Sequence, residues 1–158
     1  MGRVSMERVS MERVSMERVS MERVSSERVS SERADRIQGL AAILAALAVL
    51  AGAFGAHALE GRLPPERLEW YGTAAEYQML HAIALWFAGD LLRRGRGGVA
   101  AAALFVGGTL LFSGSLYTMA LTGQKWPAPL TPLGGLGFIA GWVLLARAGG
   151  RRAPGPSS

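Results

Sequence analysis

One long apolar stretch, Trp70 to Leu92, carries Glu76, Gln78, His81 and Asp90 among its alanines, leucines and aromatics: WYGTAAEYQMLHAIALWFAGDLL. A carboxyl and an imidazole five residues apart are groups that exchange protons, and an amide beside them can orient a polar solute. The stretch is also long enough to cross a bilayer, for which about 20 apolar residues suffice. A carboxylate at mid-membrane costs roughly 2.5 to 3.5 kcal/mol on insertion scales, so these residues are expected to face protein or a wet cavity. At 100° per residue, Glu76 and Asp90 fall about 40° apart, whereas His81 is about 140° from Glu76. The helix therefore has two polar sides, and Tyr77, Gln78 and His81 share one of them. His81 lies about 16 Å into the helix from Trp70, near mid-membrane. Asp90 sits beside Arg93, Arg94 and Arg96 at the end of the stretch and reads as an interfacial charge pair.

Other reactive side chains are scattered. Thr109, Ser113 and Tyr117 recur every four residues, a ridge of hydroxyls on one helix face, with Ser115 beside them. Their plainest role is to satisfy the carbonyl one turn back. A histidine and a glutamate near serines can be drawn as base and nucleophile, but no G-x-S-x-G elbow is present, and Ser113-Gly114-Ser115 is a pair of helix hydroxyls. His57, Glu76 and His81 can be drawn as metal ligands, but no HExxH-type spacing supports it. The chain has no cysteine, which excludes disulfides, thiolate metal sites and cysteine nucleophiles. The expectation is a protein that is not an enzyme and holds no cofactor and no metal.

The elements that must position these groups are apolar helices. Half of the 158 residues are hydrophobic, and they are clumped into runs. The net charge of +5 lies in the tails and one short loop, with no basic face interleaved with aromatics, so no nucleic-acid partner is expected. Four spans follow, at about 37–59, 70–92, 98–121 and 131–147, within a membrane domain of residues 36–148. Ala45, Ala48, Gly52, Gly55 and Ala56 line one side of the first, a face for close helix approach, with His57 on the other side near the end of the span. Gly114 thins the third helix, and Gly134, Gly137 and Gly141 line one face of the short fourth helix, which Thr131-Pro132 opens as an N-cap and first-turn proline.

Residues 1–35 are a period-five repeat, MERVS and its variants. Five residues advance a helix by about 500°, so the valines spiral round and make no stripe. With so little to bury, the repeat is expected to be a disordered low-complexity tail in which helical segments flicker. A translation start at an internal methionine such as Met21 is an alternative to the long tail. Arg33, Arg36 and Ala56-His57-Ala58 also outline a signal peptide, but the apolar run is longer than an h-region and three more spans follow. Residues 149–158, polar and rich in breakers, are expected to be disordered. Lysines and arginines favour the N-terminal flank, the 93–96 loop and the C-terminal tail, over Arg62, Arg67 and Lys125 in the other two loops. The positive-inside rule then puts both termini in the cytoplasm. In that orientation His57, Glu76, Tyr77, Ser115, Tyr117 and Thr131 reach the outer half of the membrane, with His81 beneath.

The segments GAFGAHAL (52–59), TAAEYQMLHAIAL (73–85), LLFSGSLYTMAL (110–121) and TPLGGLGFIAGW (131–142), in that order, resemble the YgdD-like family of small bacterial inner-membrane proteins, a domain-of-unknown-function family. The resemblance implies an all-α, four-span, multi-pass protein of the bacterial inner membrane, with His57, Glu76, Tyr77, Gln78, His81, Ser113, Ser115 and Tyr117 among its motif residues. It implies no substrate, and it argues against cleavage after Ala58. The function expected is a non-catalytic membrane component whose polar cluster fixes helix packing or binds a partner. The alternative is a proton-linked carrier or permeation unit using Glu76 and His81. The lipid bilayer is the expected surround, and a second copy or another membrane protein the possible partner.

Overall fold

A computed structural model describes residues 2–150, with side chains from residue 11 onward. Among the described residues there are four α-helices and a π-helical segment: α1 (Gly2–Phe54), the π segment (Gly55–Leu59), α2 (Pro65–Arg93), α3 (Val99–Thr122) and α4 (Leu130–Gly150). Short connections make successive helices neighbours. α2 lies along both α1 and α3, α3 lies along both α2 and α4, and a narrower contact joins α2 to α4.

Small residues set how close the helices come. Ala74, Ala82, Ala84 and Ala88 are buried on α2, Ala41 and Ala48 on α1, and Ala101 and Ala102 on α3. Around them Leu85, Phe105 and Phe138 fill the core between helices. Local chemistry ends each element where the sequence breaks. Pro65 opens α2 with Glu66 in its first turn, where a carboxylate complements the helix dipole. Gly123, in the left-handed conformation at φ 75°, closes α3 with its N–H on the Met119 carbonyl. At the end of α1 the helix widens into a π turn, and both Gly55 and Leu59 face inward, Gly55 against the Tyr71 ring.

Arg67 holds together the end of the bundle where α2 begins and α3 ends. Its half-buried guanidinium donates to the carbonyls of Ala120 and Leu121 at 2.5 and 2.6 Å, which supplies partners to the last turn of α3. Arg67→Met is expected to lower stability by about 1 to 2 kcal/mol, the value for charged donors discounted for partial exposure, as read by unfolding in detergent. At the opposite end Arg93 reaches Asp35 and Gln38 on α1, at 2.6 and 2.5 Å, and Arg96 donates to the Gly149 carbonyl on α4. Asp90 pairs with Arg94 at 2.8 Å, one turn away.

Two expectations need correcting. The repeat does not form a disordered tail over its described part: α1 is continuous from Gly2 to Phe54, 53 residues. No glycine or proline interrupts residues 3–38, and a helix already nucleated further along propagates without a second nucleation cost. Ser15, Ser20 and Ser25 fold their hydroxyls onto carbonyls three residues back, and Val14, Val19, Val24 and Val29 stay exposed. Second, α4 is not short, and it begins at Leu130, so Thr131 lies inside the helix and caps nothing. Gly149 and Gly150 belong to it, while residues 151–158 of the expected C-terminal tail lie outside the described residues. Of the four spans expected, three are helices long and apolar enough to cross a membrane by length and composition, Met11–Leu59, Val99–Thr122 and Leu130–Gly150. α2 falls short on that measure because it carries Glu66, Arg67, Glu69, Glu76, Gln78, His81 and Asp90.

Candidate functional site: a polar and aromatic core beside α2

The inward side of α2 holds two polar side chains at different neighbours. Gln78, buried, donates its amide to the Leu44 carbonyl of α1 at 2.9 Å. His81, only 3 % exposed, turns instead toward α3 and α4. Its Nδ1 lies 2.8 Å from the Tyr77 carbonyl, one turn back on the same helix. A carbonyl only accepts, so Nδ1 carries the proton. The Trp142 indole N–H of α4 donates to Nε2 at 3.3 Å, so that nitrogen is the acceptor of a neutral ring. Both ring nitrogens are thereby occupied.

Aromatic rings enclose the imidazole. Phe138 stacks on it with centroids 3.4 Å apart and planes 9° from parallel. Phe105 lies at 5.8 Å, tilted, and Trp142 at 6.3 Å on edge. Tyr77 stacks on Phe112 at 4.6 Å, closing the side toward α3. Glycines let these rings in: a Cβ at Gly108 would lie 2.6 Å from the Phe138 ring, and one at Gly141 would lie 2.7 Å from Phe105.

The hydroxyls of α3 divide into two kinds. Thr109 donates to the Phe105 carbonyl at 2.8 Å, the satisfied arrangement expected of a membrane helix. Ser115 donates to the Phe112 carbonyl at 2.9 Å and accepts from Thr131 of α4 at 2.7 Å, a two-step relay joining the helices. Among the described residues Ser113, 1 % exposed, has no partner for its hydroxyl, nor has the buried hydroxyl of Tyr117, whose ring meets Tyr71 edge-on at 4.9 Å.

The eight candidate residues therefore do not form one cluster. Tyr77 and His81 share the aromatic rings, Gln78 serves the α1 contact, Ser115 serves α4, Tyr117 meets Tyr71 of α2, and Ser113 is buried on α3. His57 is exposed on the π segment and joins none of them. Glu76 departs from the expectation that a neighbouring helix of the chain covers it: it is exposed on the outward side of α2, with no hydrogen bond or ion pair among the described residues. Its position follows from the angle: His81 and Gln78 point at α4 and α1, and a residue about 140° from one and 160° from the other is left outside. Among the packing glycines, Gly55, Gly134, Gly137 and Gly141 meet a neighbour, but a Cβ at Gly52 or Gly114 would have nothing within 4 Å. Phe105, Phe112, Phe138 and Trp142 were the partners missed. Their spacings of seven and four residues, each pair on one helix face, are the signal that could have found them. Among the described residues no three His, Asp or Glu side chains gather.

A chain whose described residues are helical, with three helices of membrane-spanning length and apolarity, is of the class of small helical integral membrane proteins. It belongs to the family described as "Protein of unknown function (DUF423)", whose profile matches residues 51–135. It is 44 % identical over 110 residues to the UPF0382 membrane protein YwdK of Bacillus subtilis, covering 67 % of this chain and 89 % of that protein. It is 41 % identical over 107 residues to the UPF0382 membrane protein SAB0533 of Staphylococcus aureus, covering 67 % and 88 %. It is also 41 % identical over 107 residues to the UPF0382 inner membrane protein YgdD of Escherichia coli, covering 66 % and 82 %. No solved structure matches. The YgdD-like resemblance is thus a family relationship, and the chain is a protein of the bacterial inner membrane.

Proposed function

We propose that this chain is a non-catalytic, four-crossing component of the inner membrane, both termini cytoplasmic, whose buried polar groups fasten its helices in one arrangement. The observation that carries it is the state of His81, whose two ring nitrogens are both engaged by groups of the protein. Neither partner can pass a proton on, since a backbone carbonyl has none to give and an indole N–H only donates a hydrogen bond, so the ring is held in place and, through Trp142, tied to α4. Gln78 on Leu44 and Ser115 on Thr131 support the same reading, because each bond joins two helices. Single interhelical hydrogen bonds in membranes average only about 0.6 kcal/mol, so several together are what holds a register.

The fourth crossing rests on connectivity. α2 runs alongside both α1 and α3 and joins them through short loops, so if those two cross, α2 returns through the same bilayer. Its polar inner groups are then shielded by the helices on either side, which is how membrane proteins carry such residues. Arg33, Arg36, Arg93, Arg94, Arg96 and Arg147 lie at one end, against Arg62, Arg67 and Lys125 at the other, which favours both ends inside. The carrier alternative loses its pair in this arrangement, since Glu76 faces outward and His81 inward.

Purified protein in proteoliposomes tests the reading. Wild type and Glu76→Gln are expected to show the same proton permeability as empty vesicles within about twofold, as an amide keeps the shape and hydrogen bonding of the acid. A pH-driven flux that Glu76→Gln abolishes while the variant stays folded overturns it.

A further inference from the structure

The outward faces of α1 and α4 suit lipid. Leu40, Ile43, Leu47 and Leu50 cover the first, and Leu133, Leu136, Ile139 and Val143 the second, all exposed and apolar. The outward face of α2 differs at one point. Gly72, Glu76, Leu80, Ile83 and Phe87 share it, and the carboxyl stands among exposed apolar side chains without a partner among the described residues. By rise per residue, Glu76 lies about 17 Å from Pro65 and about 26 Å from Arg93. It is also about 9 Å below Trp70, whose contact with Lys125 at 5.6 Å marks the outer end. If α2 crosses, that carboxyl is at hydrocarbon depth, where acyl chains offer it no hydrogen bond.

We propose that this face of α2 is the docking surface for a second copy of the chain, α2 against α2 about a two-fold axis along the membrane normal. Copies inserted with one orientation hold Glu76 at one depth, so the axis brings carboxyl to carboxyl. Across that axis each carboxyl group becomes the hydrogen-bonding neighbour of the other, which acyl chains cannot be. Thr73, three residues before Glu76 and about 60° round the helix from it, adds a half-exposed hydroxyl at the edge of this face. Gly72 lies one turn from Glu76, and a Cβ there would meet nothing within 4 Å, so the monomer has no need of a glycine at this point. A helix crossing does, because a missing side chain lets two backbones approach until the acids reach each other. The face is self-complementary, so the assembly closes at two.

The proposal rests on α2 crossing the membrane, and the absence of cysteine allows a test that separates the two. In the Leu80→Cys chain the single thiol lies on this face, and in the Ile139→Cys chain it lies on the outward face of α4. Oxidation of native membranes with copper phenanthroline is expected to give a disulfide-linked dimer from the first and not the second. Adding Gly72→Leu or Glu76→Leu is expected to cut dimer yield about tenfold, the loss of a buried interhelical polar pair, while Glu76→Gln keeps it. Absence of the Leu80→Cys dimer, equal cross-linking from Ile139→Cys, or indifference to both leucine variants overturns the proposal. A membrane-impermeant maleimide distinguishes the failures. Labelling of Leu80→Cys puts α2 in water and ends both readings; an unlabelled thiol that does not cross-link ends only this one.

Discussion

Alanine at Gly134 is expected to cost about 2 to 3 kcal/mol and to force α3 and α4 apart, the price of overpacking against groups that cannot yield. A Cβ there would stand 2.5 Å from the Phe112 amide nitrogen, 2.8 Å from the Phe112 Cβ and 2.9 Å from the Gly108 carbonyl oxygen. Two of these are backbone and the third is fixed to it, so no rotamer change relieves the contact. The reciprocal position is as tight: a Cβ at Gly108 would meet the Phe138 ring at 2.6 Å and the Gly134 carbonyl oxygen at 3.1 Å. The displaced Phe138 is the ring stacked on His81, so the damage would reach the polar core. Gly52→Ala and Gly114→Ala serve as controls. Each adds a methyl to open space and removes a helix-destabilising glycine, so each is expected to be neutral or stabilising by up to about 1 kcal/mol. Thermal unfolding in detergent ranks the variants, and an equal loss at Gly134 and Gly114 would refute the glycine-on-glycine account.

The contrast between Gly134 and Gly114 shows what the sequence could and could not say. Both lie in apolar helices amid small residues, and the pattern is the same whether a neighbour covers the glycine or nothing does. Gly134, Gly137 and Gly141 were recognisable because three of them share one face, a spacing that an isolated glycine lacks. Helical periodicity fixes the angle between two residues on one helix, and it set Glu76 and His81 on different sides of α2. It does not fix where the neighbouring helices stand, and the rule that polar groups turn inward placed Glu76 wrongly. Asp90 was readable because its partner Arg94 is on the same turn. The aromatic core was not, since Tyr77, Phe105, Phe112, Phe138 and Trp142 come from three helices and meet only when those helices pack. The repeat failed differently: its composition correctly lacks a face to bury, but helix propagation from α1 requires no such face.

His81→Ala is expected to be the other severe substitution, at about 3 to 4 kcal/mol, the range for emptying a buried aromatic site. The imidazole is 3 % exposed and lies flat on Phe138, so its loss leaves a gap between α2 and α4 where contact is already narrow. It also removes the acceptor of the Trp142 indole N–H and frees the Tyr77 carbonyl of its side-chain donor. His81→Phe separates these contributions. It restores a ring of similar size for the stack and removes both hydrogen bonds, so its cost is expected to be only about 1 to 2 kcal/mol. Trp142→Phe deletes the indole donor from the other side. With His81→Phe it completes a double-mutant cycle whose coupling, about 0.5 to 1 kcal/mol, measures the bond between them. A fastening predicts this ordering, alanine far worse than phenylalanine, with unfolding in detergent as the readout. A histidine kept for proton exchange predicts the opposite, since there the ring nitrogens carry the role and phenylalanine would be as damaging to flux as alanine while stability stayed near wild type. Stability lost equally in both variants would mean that the hydrogen bonds of the imidazole, of which only the one from Trp142 crosses to α4, outweigh the stacked rings.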